Sequence, residues 1–410
     1  MENNRRESII RSLICLILSS AISIAAAADK AGRQYELDIL DTIRSIQQLD
    51  HQQAMQQTRE LLREYPHSRL GQMLFADLLL AKAAALPDIG GGLSRPQAQS
   101  DFQHEIKQRL EHSKSPAHQG LIPGNIIFLA EKQPYVIIMD QKNSRLYVYR
   151  NDQGTPLLET DYFVTIGLKG YGKEKRGDQK TPIGVYHVTR HISDEKLPDL
   201  YGRGAFPISY PNVWDRRLNR TGGGIWIHGT PSYTYNRSPW ASNGCIVVSN
   251  PDFGDLGRYV NYEINTPVIV TESIDWITNE EWQRRRKNRL TVFSRWVRDW
   301  ESLDHNRYRQ HYSQQHYIAE GRDFKKWDGH KKWVNRKKTH VRVDFSNLNV
   351  FEYPGEQNLM LIQYQQDYDS NNLKIQSPKE LFWRLENNQW RIVYEGTRTF
   401  PVDLTDLAQN

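Results

Sequence analysis

The spacing of apolar positions changes along the chain, and each change marks a new element or domain. Between Tyr35 and about Ala85, Leu37, Leu40, Ile43, Ile46 and Leu49 recur every three to four residues. Ala54, Thr58, Leu61 and Tyr65 follow, then Leu70, Leu74, Leu78 and Ala81. This is the period of amphipathic helices. Tyr65-Pro66-His67-Ser68 separates the second helix from the third, and the stretch from His51 to Ala84 reads as a helical hairpin. One hairpin cannot bury its own apolar face, so docking on a neighbouring domain or homodimer formation through these helices is expected. Leu86 to Pro96 is rich in Gly and Pro and reads as a linker, and Phe102 to His112 reads as a short amphipathic helix.

From Ile122 the apolar runs shorten and Gly and Pro punctuate them. Tyr135–Met139 and Arg145–Tyr149 predict a β-hairpin, and Tyr162–Ile166, Gly184–Thr189, Ile225–His228, Cys245–Ser249 and Pro267–Thr271 predict further strands. Many short strands with such turns argue for a mostly β sandwich or barrel. After Glu272 the composition shifts. Glu280 to Arg289 is strongly charged, Leu290 to Trp300 is amphipathic, and strands are expected at Val341–Phe345, Leu348–Tyr353, Asn358–Asp367, Lys379–Asn387 and Gln389–Tyr394. Glu386-Asn387-Asn388-Gln389 reads as a hairpin turn. The shift predicts a boundary that few contacts cross, so a chain ending near Glu272 is expected to fold and keep its chemistry.

A 410-residue chain with 38% hydrophobic and 25% charged residues suits several globular domains rather than a disordered protein. The net charge of +6 fits nucleic acid or anionic envelope polymers as partners. The first residues decide between them. A basic stretch at Arg5, Arg6 and Arg11, an apolar run from Leu13 to Ile24 and small residues at Ala25–Ala28 read as a signal peptide over residues 1–28. The run is short for a membrane span, and an uncleaved anchor is the minor reading. Export to the periplasm excludes nucleic acid. The basic, Trp-containing segment Lys325 to Lys338 then points to anionic envelope glycans or lipid head groups, with a merely solvated basic face as the plainer and leading alternative.

Of the two cysteines, Cys15 falls in the exported leader, so the mature chain keeps Cys245 alone. A lone thiol makes no intrachain disulfide and is better explained by reactivity. His228 ends the apolar run Ile225-Trp226-Ile227, and Cys245 begins Ile246-Val247-Val248. Two neighbouring strands would put thiol and imidazole at one sheet end as a nucleophile with its base, favouring the thiolate near neutral pH. Ser242-Asn243-Gly244 before the thiol allows a tight turn whose N–H groups face an oxyanion. Between the motif halves, the loop from Pro231 to Trp240 carries Tyr233 and Arg237 as candidate substrate contacts. The histidines lack partners at metal-ligand spacing, so neither a metal nor another cofactor is indicated.

His228-Gly229-Thr230 followed by Ser242-Asn243-Gly244-Cys245 resembles the signature of the L,D-transpeptidase (YkuD) catalytic domain, and Gly177-Asp178-Gln179-Lys180-Thr181-Pro182-Ile183-Gly184 resembles its second motif. The C-terminal helices and meander resemble the NTF2-like α+β cone. Together with the patterns above, the resemblance divides the chain into the signal peptide, a helical, tetratricopeptide-like domain at 29–117, a mostly β catalytic domain at 122–272 and an NTF2-like domain at 285–400. It also implies a periplasmic cysteine peptidyltransferase acting on peptidoglycan stem peptides. Cys245 would form the thioester, His228 would act as base, the Gly229 carbonyl would orient the imidazole, and the N–H groups of Asn243, Gly244 and Cys245 would hold the oxyanion. The family usually has Arg two residues after the cysteine, whereas this chain has Val247. Members with helical-cell-shape L,D-carboxypeptidase activity vary there, so trimming of tetrapeptide to tripeptide is the alternative reaction. A catalytically silent envelope-binding scaffold is the alternative from another class.

Overall fold

The computed structural model describes residues 32–83, 88–93, 95–114 and 120–398. The expected signal peptide lies outside the described residues. Among the described residues, no helix is long and apolar enough to cross a membrane.

Four helices come first: α1 (32–47), α2 (His51–Glu64), α3 (Arg69–Ala83) and α4 (Pro96–Lys114). Asp50 caps α2 by accepting from the Gln53 N–H, which satisfies one of the donors a helix leaves open. Tyr35, Ile39, Ile43, Leu61, Leu70, Leu74, Phe102 and Ile106 bury one another. The hairpin face that sequence left without a partner is closed by α1, α4 and the catalytic domain, whose Tyr235 packs on this cluster.

The catalytic domain stacks two sheets. The larger has the order Thr155–Phe163, Arg145–Asp152, Tyr135–Asp140, Pro267–Thr271, Gly184–His187; the smaller runs Ile246–Val247, Trp226–His228, Gly204–Pro207, Ile192–Ser193. Strand side chains alternate between faces, and here both faces are used. Ile137, Met139, Val268 and Val270 pack toward the smaller sheet with Ile227 and Ile246. Val136, Ile138 and Ile269 pack the other way, against Phe351, Leu361, Phe382 and Val393 of the C-terminal domain. Burial on both sides explains why Val136 to Met139 is a continuous apolar run instead of an alternating one.

The C-terminal sheet has the order Ile126–Phe128, Val341–Glu352, Leu359–Ser370, Leu373–Glu386, Gln389–Thr397. Asn387 and Asn388 both have positive φ, as the predicted two-residue hairpin requires. The two strands expected at 341–353 are one, with a bulge between Ser346 and Asn349. The far face of this sheet is filled by Trp296 and Trp300 of the long helix Asn279–Glu301, with Tyr308, Tyr312 and Trp327. Trp327 of the basic helix Phe324–Asn335 is therefore core, while Trp333 is 66% exposed.

The expected lightly crossed boundary at Glu272 is not there. Ile126–Phe128 leaves the catalytic segment to pair with Val341–Glu352. The Trp282 indole donates to the Ile126 carbonyl at 2.6 Å, and a shared apolar core joins the two domains. Ending the chain near Glu272 would strip one face of the larger sheet. Such a truncate is expected to be insoluble or molten by near-ultraviolet circular dichroism. Phe382→Ala removes a ring 1% exposed that stacks on Trp214 at 4.9 Å, and should cost about 3–5 kcal/mol. Chemical denaturation should show one transition shifted as a whole. A second transition left at its original midpoint would mean that the domains are stabilised independently.

Candidate active site

Trp226–His228 and Ile246–Val247 are hydrogen-bonded parallel neighbours, with Ile227 opposite Ile246 and His228 opposite Val247. Continuing that register puts Cys245 opposite Trp226. His228 and Cys245 therefore project from the same face, one pleat apart along the sheet. His228 is buried and Cys245 half-buried.

The His228 ring nitrogen Nδ1 lies 2.7 Å from the Gly229 carbonyl oxygen. A carbonyl can only accept, so the proton sits on Nδ1 and Nε2 keeps its lone pair. The chain leaving the histidine is held by Asn250, whose amide donates to the Thr230 carbonyl at 2.8 Å while its oxygen accepts from the Arg203 N–H. The Tyr201 ring lies edge-on to the imidazole at 5.0 Å.

The cysteine turn is fixed from two sides. The Ser242 hydroxyl donates to the Cys245 carbonyl at 2.6 Å and accepts from the Gly244 N–H at 3.1 Å. Buried Thr181 donates to the Gly244 carbonyl at 3.0 Å and accepts from the Gly167 N–H at 2.9 Å. Asp178 places Thr181 by folding its loop, accepting from the Lys173 ammonium at 2.7 Å and from the N–H groups of Glu174, Lys175 and Lys180. Burial pushes the Asp178 carboxyl up, but these donors bring it down to about 2. Gly244 has φ +117, and a Cβ there would meet the Lys180 carbonyl oxygen at 2.7 Å. The motif's glycine is thus required by both conformation and space.

Two expectations change. Ser242 is buried and its hydroxyl is spent inside the turn, so it shapes the site rather than meeting a substrate. The Gly244 N–H points at that hydroxyl, which leaves the N–H groups of Asn243 and Cys245 as oxyanion candidates. The Asn243 side chain is exposed and accepts from Gln179 at 3.2 Å.

The electrostatics overturn the expected resting thiolate. Burial raises the Cys245 thiol, and the Trp226 N–H, Arg237 and Lys173 only partly offset it. For His228, burial and then Arg237 disfavour the imidazolium, against the Gly229 hydrogen bond, and hold the ring at about 4. At neutral pH the site holds a thiol and a neutral imidazole. The thiol donates weakly to the Gly224 carbonyl, 3.4 Å away.

The structure brings Arg237 to this pair, since its charge acts on both the Cys245 thiol and the His228 imidazole. Its guanidinium donates to the Ala241 carbonyl. Tyr233, 71% exposed, lies on the outer side of the loop. Val247 is buried, and its backbone pairs with Thr165 in both directions. Tyr201, Lys173, Thr181 and Asn250 were not singled out as site residues from sequence; of these, Thr181 lies within the second motif and Lys173 just before it, so both had a signal there. Beyond the Gly222-Gly223-Gly224 turn, a cavity of about 530 Å³ continues to Gln363, Glu380 and Phe382 of the C-terminal sheet.

Residues 134–270 match the model of the L,D-transpeptidase catalytic domain, YkuD, and residues 289–396 that of the Cds6 C-terminal NTF2-like domain. Among solved structures, Bd1075 of Bdellovibrio bacteriovorus is similar at 27% identity and TM-score 0.60, over 69% of this chain and 100% of that one. The helical cell shape determining protein Pgp2 of Campylobacter jejuni is similar at 25% identity and TM-score 0.57, over 67% and 95%. No curated protein matches the chain. The chain therefore carries a catalytic domain of the L,D-transpeptidase (YkuD) family, followed by an NTF2-like domain of the Cds6 C-terminal type.

Proposed function

We propose that the chain is an exported cysteine peptidyltransferase that remodels peptidoglycan stem peptides through a thioester on Cys245. The observation that carries this reading is the parallel register that sets Cys245 and His228 on one sheet face, within a domain of a peptidoglycan-acting family. His228 Nε2 takes the thiol proton as Sγ attacks the carbonyl of the L-centre preceding a terminal D-residue. The oxyanion is held by the N–H groups of Asn243 and Cys245. The C–N bond breaks, the imidazolium returns its proton to the leaving amine, and the D-amino acid departs. Transfer of the acyl group to an acceptor amine makes a crosslink.

Transfer to water makes the enzyme an L,D-carboxypeptidase instead. Two observations favour that second reading: similarity to a helical cell shape determining protein, and Val247 at the position where the family usually has Arg. Incubating purified sacculi with the protein and resolving the muropeptides by mass spectrometry separates the readings. New crosslinks support transfer, tetrapeptide trimmed to tripeptide supports hydrolysis, and an unchanged profile would overturn both in favour of a silent scaffold.

Cys245→Ala should abolish turnover, and His228→Ala should reduce it roughly 10²–10⁴-fold, both with unchanged far-ultraviolet circular dichroism. Wild-type muropeptide activity in Cys245→Ala would sink the mechanism. The pH dependence follows from the buried imidazole. Because His228 stays neutral down to about 4, kcat/KM should hold steady as pH falls through 6.5, the usual imidazole value, and drop only as it approaches 4. An acid limb centred near 6.5 would show that the ring is not held neutral by burial. Iodoacetamide labelling of Cys245 should be slow at neutral pH and climb with alkalinity, because the thiol is raised.

A further inference from the structure

The loop from Pro231 to Trp240 is gripped by the N-terminal helices along most of its length. The Tyr35 hydroxyl of α1 donates to Asn236 Oδ1 at 3.1 Å, and Asn236 Nδ2 donates to Glu105 Oε1 of α4 at 2.9 Å. The Tyr235 N–H donates to the His67 carbonyl at 2.9 Å. Its ring packs on Tyr35 at 4.2 Å and on Tyr65 at 5.1 Å. Trp240 lies against His104 at 4.5 Å. Glu105 is fully buried and is also held by Arg69 and Arg109. Arg109 in turn pairs with Glu36, which reaches Arg145 of the larger sheet at 2.6 Å.

A helical layer that only capped the catalytic domain would need apolar contact alone. Here two buried hydrogen bonds converge on Asn236, the residue before Arg237, and Arg237 donates to the Ala241 carbonyl next to Ser242, which staples the Cys245 turn. We propose that the helices are part of the active-site frame, holding Asn236 through Tyr35 and Glu105 so that Arg237 stays beside the cysteine turn. Asn236, Tyr35 and Glu105 are positioning residues that act through Arg237. Arg237 and Val247 line the same small cavity, so the loop supplies a cation close to a position where the strand itself offers an apolar side chain. The inference deepens the reading above and rests on Cys245 being the reacting group.

The test uses the full chain and reads the thiol directly. The charged groups acting on it are Arg237 and Lys173; of the titratable ones, His228 shares its sheet face and Tyr201 lies against His228. Asn236→Ala and Arg237→Gln should each move the pH profile of iodoacetamide labelling upward, slowing labelling at neutral pH by roughly three- to tenfold. The double variant should shift no further, since the two act as one unit. On muropeptides kcat should fall on the order of tenfold, with KM changed less. Should Asn236→Ala fail to fold, Tyr35→Phe keeps the ring stack, removes only the hydroxyl and should shift the profile the same way by less. An unmoved labelling profile beside a lowered Tm would overturn the proposal, as would additive shifts in the double variant. Labelling shifts as expected, in a parent protein inert on sacculi, would support the frame and overturn the peptidoglycan reading alone.

Discussion

The site depends on one register. With Ile227 opposite Ile246 in a parallel pair, the residue before the cysteine strand falls on the face that carries His228, and a slip by one residue would send it to the other. Strands of two and three residues hold too few ladder bonds to enforce this alone. The register is pinned from outside, by Thr181 and Ser242 on either side of Gly244 and by Asn250 beyond Gly229. The two sequence motifs are therefore parts of one clamp: Asp178 folds the loop that brings Thr181 to the cysteine turn.

Burial sets the chemistry that this geometry permits. An open surface would let thiol and imidazole titrate near their usual values; here desolvation moves the thiol up and the imidazole down. Both shifts favour the uncharged pair, so the resting site holds thiol and imidazole rather than an ion pair. Arg237 works on the two groups in opposite senses, easing the thiolate and discouraging the imidazolium. A cation in that place stabilises the anion that forms on sulfur without trapping the proton on the base in the resting enzyme. Such a resting thiol is also less exposed to stray oxidation, which tracks thiolate character.

Much of the architecture was legible because local signals agreed with the final contacts. The apolar period marked the helices, Asn387-Asn388 marked its hairpin, and the cysteine and histidine motifs named their own residues. What was not legible came from contacts remote in sequence. The charged stretch of Glu280 to Arg289 looked like a boundary that few contacts cross because the apolar partners of the larger sheet lie more than sixty residues further on, at Phe351 and Phe382. The Asn236–Glu105 bond joins residues 131 positions apart, and neither carries a motif. The direction of the pKa shifts was invisible for the same reason: composition does not say how much water a fold removes.

The strand Ile126–Phe128 has a further meaning for the life of the chain. Asn125, just before it, is bonded to Glu352, 227 positions away, so the catalytic domain's outer face is closed by residues that arrive late in synthesis. Contacts of such separation are slow to form. A chain emerging N-terminus first would therefore carry an unfinished larger sheet until the residues from Phe351 to Val393 had followed. The larger sheet, on which the strands carrying His228 and Cys245 are stacked, would gain its second covered face only once those last strands had been made.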